Sequence, residues 1–137
     1  MKKSRVMIAV DKHNKGYNCC QAVICTYCDL LDIDEITAFK ISEGLGFGIS
    51  KTQGICGAVS AMVLAAGLKN SDGDINNPKT KRETYDLGYN LIKEFENMHG
   101  TSICKELKGK QIRSCNGCIM DCAKIIEEKV FKDEFES

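Results

Sequence analysis

The stretch Ser50-Lys-Thr-Gln-Gly-Ile-Cys-Gly-Ala-Val-Ser-Ala-Met-Val-Leu-Ala-Ala-Gly-Leu68 decides the reading of the fold. Between Lys51 and Lys69, seventeen residues carry no charge. The pattern predicts a helix. Ser50 or Thr52 is placed to cap its start, and Gln53 follows Ser50 at the spacing of a capping box. Gly67 is placed to end it. Gly57, Ala58, Ser60, Ala61, Ala65 and Ala66 carry little side-chain bulk, so neighbouring helices can approach closely. The run falls short of the roughly 20 apolar residues that a bilayer span needs. It reads as the buried central helix of an all-α domain, with Cys56 in its first turn at the focus of the site.

Composition sets the surroundings. A chain of 137 residues is the size of one domain, so residues 1–137 are expected to share a single compact core. Nineteen basic and nineteen acidic residues cancel. That balance disfavours nucleic acid, whose binding draws on phosphate neutralisation, and nothing suggests a membrane surface. Lys2, Lys3 and Arg5 precede the apolar run Val6–Val10, which imitates an export signal. Its five residues are shorter than the roughly 7–15 of a secretory core, so a cytoplasmic location is expected. Nine cysteines are the outlier. In a reducing compartment thiols at that density point to ligands or redox groups rather than structural disulfides, and the odd count argues against a fully paired framework.

About six helices are expected. The first covers residues 4–14 and stops before Gly16. Asn18 then N-caps a second, with Gln21 three residues on, running to about Leu31. Asp32 or Asp34 caps a third, with Ile36, Phe39 and Ile41 on its apolar side. The central helix follows. Asn77 and Pro78 are placed to start the next, whose stripe is Tyr85, Leu87, Tyr89, Leu91, Ile92, Phe95 and Met98, ending at Gly100. Thr101 or Ser102 caps a short helix holding Cys104 and Leu107, and Lys108–Arg113 reads as a basic loop. Ser114 caps the last helix, which buries Ile119, Ile125, Ile126 and Val130. The acidic end, 132–137, is expected to fray.

Two glycine- or acid-rich stretches invite other readings. Gly44-Leu-Gly46-Phe-Gly48 has neither the spacing nor the preceding strand of a dinucleotide loop. Gly46, Gly48 and Gly57 are instead expected to let backbone approach a group bound at Cys56. Lys69–Asn77 is similar to a calcium loop, but that register puts Leu68 and Lys79 at ligand positions, so it is a loop only.

The cysteines show one regularity. Cys19, Cys56, Cys104 and Cys115 each fall in the predicted first turn of a separate helix, and Cys118 lies one turn after Cys115. The free N–H groups and positive dipole end of a helix favour the thiolate, the form that binds metal or attacks a disulfide. Four such ends directed at one place would stabilise a net-negative thiolate cluster. Cys25 and Cys122 are expected to fill space in the core, and the roles of Cys20 and Cys28 stay open. Cys25-x-x-Cys28 and Cys115-x-x-Cys118 lie too far apart for a zinc ribbon, and the bacterial ferredoxin run is absent. His13 and His99 read as surface histidines. No thioredoxin context surrounds either C-x-x-C.

The sequence resembles the redox-active C_GCAxxG_C_C family from about Gly16 to Glu128. Gly16-Tyr-Asn-Cys19 with Gln21-Ala22-Val23 is similar to its first cysteine segment. Cys56-Gly57-Ala58-Val59-Ser60-Ala61 is similar to its central motif, with Ala61 where the family has glycine. Cys104-Lys-Glu-Leu107 is similar to the third segment. The fourth cysteine is Cys115 or Cys118, and Cys115 gives the better register. The resemblance implies redox activity and a suspected iron–sulfur centre held by these cysteines. Zinc held by four thiolates, or metal-free thiol–disulfide chemistry, are the alternatives. An unidentified redox partner protein is implied, a homodimer sharing the cluster is compatible with the surplus thiols, and no catalytic residue is assigned.

Overall fold

A computed structural model describes residues 1–136 as an all-α fold of seven helices. They are α1 (Val6–Asn14), α2 (Cys19–Tyr27), α3 (Glu35–Ser42), α4 (Gly57–Asn70), α5 (Lys81–His99), α6 (Cys104–Gly109) and α7 (Cys115–Ile125). A 3-10 turn at Cys28–Leu31 extends α2, and a π turn at Ile126–Val130 extends α7. Among the described residues there is no strand, and two isolated bridges pair Lys2 with Phe135 and Ile55 with Ile103. Among the described residues no helix is long and apolar enough to cross a membrane.

The core forms where α4 packs against α2, α5 and α7, with α1 against α2 and α7. α2 is buried from Cys20 to Tyr27, and α4 buries Gly57, Ala58, Val59, Ala61, Met62, Ala65 and Ala66. The small residues of α4 let it contact three helices at once. Tyr27, Phe95 and Phe131 are the largest fully buried side chains.

Asn18 caps α2 with the reciprocal bonds of a capping box: its side chain accepts from the Gln21 N–H, and the Gln21 side chain accepts from its N–H. Asp34 accepts from the Thr37 N–H and Ser114 from the Gly117 N–H, so both act as the expected caps. α1 stops before Gly16, and α5 ends at Gly100 in the left-handed conformation.

Several expectations are corrected. The central helix does not begin at Ser50 or Thr52; Cys56 is its N-cap, so Cys56 precedes the first turn. The hydroxyls of Ser50 and Thr52 donate instead to the carbonyls of Gly44 (2.7 Å) and Gly48 (2.6 Å), which ties up a local loop. Gly67 lies inside α4, which continues to Asn70. α5 starts at Lys81, because Asp74 Oδ1 accepts from the Asn76 and Asn77 N–H groups and so holds 74–77 as a turn. α3 packs through Ala38 and Ser42, leaving Ile36 72% exposed. α5 buries only Gly88, Leu91 and Phe95, because it meets the core along one narrow face, and Tyr85, Tyr89 and Met98 stay exposed. The chain end does not fray through residue 136. The Glu136 N–H donates to the Lys2 carbonyl at 2.7 Å, and Phe135 is buried against Tyr27; Ser137 lies outside the described residues. Thr101 and Ser102 do not cap α6, whose N-cap is Ile103.

Candidate cysteine site

Cys19, Cys104 and Cys115 are the first residues of α2, α6 and α7, and Cys56 is the N-cap of α4. Backbone pairing joins two of these starts. The Cys56 N–H donates to the Ser102 carbonyl at 2.8 Å, and the Cys104 N–H donates to the Gly54 carbonyl at 2.6 Å. All four cysteines, with Cys118, line one cavity of about 260 Å³. His13, Asn18, Phe47, Gly57 and Lys108 complete its wall. The five sequence candidates therefore share one site, although Cys56 reaches it from a cap rather than a first turn. Cys20, Cys25, Cys28 and Cys122 are buried in the core and are not part of that lining.

The glycines hold the wall together. A Cβ on Gly57 would collide with the Cys19 sulfur, so glycine here lets α2 and α4 bring their thiols close. Gly46 packs on the Asn18 side chain, and Gly48, at φ +63°, has Gln53–Gly54 backbone against it. Those two support the wall from behind, outside the cavity lining.

The loop before α4 is unusual. Phe47, Gly48, Ile49, Ser50 and Lys51 all have positive φ, between 50° and 74°. Left-handed backbone costs about 1–2 kcal/mol per residue other than glycine. The Ser50 N–H bonds the Gly46 carbonyl at 3.0 Å and the Gly54 N–H bonds that of Gly48 at 2.9 Å, which holds this turn in place. The Phe47 N–H favours the Cys19 thiolate, in opposition to burial, which raises that thiol. Conformational strain is thus concentrated beside the thiols.

The thiols are electrostatically unequal. Cys56 is pulled below the ordinary thiol value, to about 6, chiefly because the Cys118 thiol donates a hydrogen bond to its sulfur. Burial opposes this, while the N–H groups of Ala58 and Val59 and the charge of Lys108 assist it. Cys118 is pushed up by the same bond and by burial. Burial and the neighbouring Cys56 raise Cys19 and Cys104. Burial likewise raises Cys20, Cys28 and Cys122, and pushes Cys25 up to about 12.

Three wall residues were not singled out by the sequence. Lys108 stands 4.0 Å from the Cys118 sulfur and donates to the Arg113 carbonyl at 3.5 Å, with Cys115 in the same wall. It forms no ion pair with a carboxylate among the described residues. Its position four residues after Cys104, on the same helix face, was the available signal. His13 bonds the Asn116 side chain at 2.7 Å from the last turn of α1 and had no sequence signal, whereas Phe47 lies in the Gly44–Gly48 stretch that was expected beside Cys56. Neither histidine is a plain surface residue, since His99 is half-buried against Asp121 at 2.7 Å.

Among the described residues no group of three or more His, Cys, Asp or Glu side chains closes on a point as ligands of one ion would. The cysteines ring a space instead. The chain matches the sequence model of the family described as "Putative redox-active protein (C_GCAxxG_C_C)" over residues 17–129, most of its length. No curated protein and no solved structure matches.

Proposed function

The chain belongs to the C_GCAxxG_C_C family, described as redox-active, and we propose that it holds an iron–sulfur cluster in the cysteine cavity and transfers electrons through it. The observation that carries the reading is the ring of five thiols around a cavity of about 260 Å³, with one ammonium and no carboxylate in its wall. Thiolates are the usual ligands of such clusters. The donor chemistry fits. A half-buried ammonium without a carboxylate partner favours an anionic occupant, and a cluster held by four thiolates is anionic. The size also fits a polynuclear group better than a single zinc ion. Zn–S bonds of about 2.3 Å draw four sulfurs tightly together.

Cys19, Cys56, Cys104 and Cys115 are the proposed ligands. Cys118, in the same wall, holds Cys56 toward the thiolate, and Lys108 balances charge. A bound cluster would supply one-electron chemistry. The chain contributes the thiolates, a strained loop over Cys19, and the apolar helices that limit water. In this reading Cys19→Ser, Cys56→Ser, Cys104→Ser and Cys115→Ser each lose most of the bound iron while keeping native far-ultraviolet circular dichroism. Cys118→Ser and Cys122→Ser retain it. Full iron in Cys56→Ser would remove the basis for the assignment.

The placement of Cys56, a thiol held low, with Cys118 in one cavity wall favours a second reading. The Cys56 thiolate attacks an external disulfide and releases one thiolate. Cys118 then loses its proton and displaces the second, leaving a Cys56–Cys118 disulfide and two reduced external thiols. Thiol counts that drop by two on treatment with oxidised glutathione, and not in Cys118→Ser, support this reading. An unchanged count rules it out.

A further inference from the structure

The rim of the cysteine cavity differs in charge from the rest of the chain. Residues 43–55 and 104–113 are laced together there, with the Cys104 N–H on the Gly54 carbonyl at 2.6 Å and the Lys105 N–H on the Gln53 carbonyl at 3.1 Å. These two segments carry Lys51, Lys105, Lys108, Lys110 and Arg113 against Glu43 and Glu106, a balance of +3. The whole chain balances to zero, so the remaining residues sum to −3. Arg113 is paired with Asp121, and Lys110 lies 3.8 Å from Glu106. Lys51 and Lys105 are exposed and form no ion pair among the described residues.

Exposed apolar groups stand in the first of these two segments. Phe47 is 56% exposed and Ile49 44% exposed, both on left-handed backbone. Folding gains little from either side chain and loses free energy in holding the turn. Phe47 also lines the cavity, so whatever covers it stands beside the thiols.

We propose that this rim is the docking surface for a second protein with an acidic redox face, which covers Phe47 and Ile49 and pairs its carboxylates with Lys51 and Lys105. The inference rests on the redox reading for what passes across the contact, not on which group fills the cavity. Its chemistry is that of transient carriers: a small apolar centre limits area, and complementary charge steers the encounter and sets orientation. Exposed charges are screened beyond about 8–10 Å at physiological salt, so the association is salt-sensitive.

The test uses the full chain and a flavodoxin, a small acidic one-electron carrier, with basic cytochrome c as the opposite probe. Association is read by titration calorimetry at low and high salt. The expected result is binding to flavodoxin that weakens with salt, and none to cytochrome c. Lys51→Glu combined with Lys105→Glu weakens it by roughly tenfold or more, in line with loss of charge steering. Phe47→Ser weakens it without changing the salt dependence, and circular dichroism verifies that each variant is folded. No flavodoxin binding, equal binding by the charge-reversed variant, or preference for cytochrome c overturns the proposal. So does a salt-sensitive dimer of the chain alone, which would assign the surface to a second copy. Calorimetry needs no electron flow, so an iron-free protein defeats the cluster reading and leaves this test intact.

Discussion

Cys56 differs from the other cysteines through its neighbours. It is even more buried than Cys104, yet it is lowered, because Cys118 donates to it and the Ala58 and Val59 N–H groups favour its thiolate. In the metal-free protein a thiolate should therefore appear as pH rises through about 6, well below the ordinary thiol value. Ultraviolet absorbance of the thiolate near neutral pH is the measurement, and the transition should vanish in Cys56→Ser and move upward in Cys118→Ala. The sign follows from the bond. Removing the donor destabilises the anion and leaves burial to dominate. Lys108 is the other decisive residue. In protein that holds a cluster, Lys108→Met should shift the midpoint potential negative, since a nearby cation favours the more negative reduced form, and Lys108→Arg should restore it. An unchanged potential in Lys108→Met would show that its charge does not reach the group.

At the scale of elements, the junction of α2 with α4 and the turn at Phe47–Lys51 shape the site. Gly57→Ala should push the Cys19 sulfur aside. The expected outcome is loss of iron with nearly unchanged helix content. Gly48→Ala combines a positive φ with backbone on which its Cβ would press, so limited proteolysis should cut the 44–55 loop faster in that variant. Helices were legible where one side chain decides a boundary, as at Asn18, Asp34, Ser114 and Gly100. They were misplaced where polar side chains had a choice of partners. Ser50 and Thr52 have the spacing of helix caps but bond loop carbonyls, and Asp74 takes the N–H groups beside Pro78. The run of left-handed residues at 47–51 contains one glycine, so local preference gave no sign of it. The four cysteine positions survived these errors because a shift of one place, from first turn to cap, keeps a thiol at the helix end.

At the scale of the molecule, α4 is the shared partner of α2, α5 and α7, and its burial explains why an uncharged, small-residue stretch governs the fold. Phe95 reaches this core from α5 and is fully buried. Phe95→Ala should destabilise the chain by about 3–5 kcal/mol in denaturant unfolding, through lost burial and the cavity left behind. The chain ends are held as well. The Tyr27 hydroxyl donates to Glu127 at 2.6 Å, and the Arg5 N–H donates to the same carboxylate oxygen at 2.7 Å. Tyr27→Phe removes one donor to a buried carboxylate and should lower stability by about 1–3 kcal/mol. The all-α class followed from apolar runs, and the grouping of Cys19, Cys56, Cys104, Cys115 and Cys118 was expected from the predicted helix starts and the family resemblance. Lys108 and His13 join the site through contacts that sequence order alone does not encode. The central claim is that the cysteine cavity is built for an iron–sulfur cluster. It is tested most directly by the visible absorption of anaerobically purified protein, with iron and sulfide assayed on the same sample. The account predicts a brown protein with matched iron and sulfide. A colourless protein that stays free of iron after attempted reconstitution would contradict it.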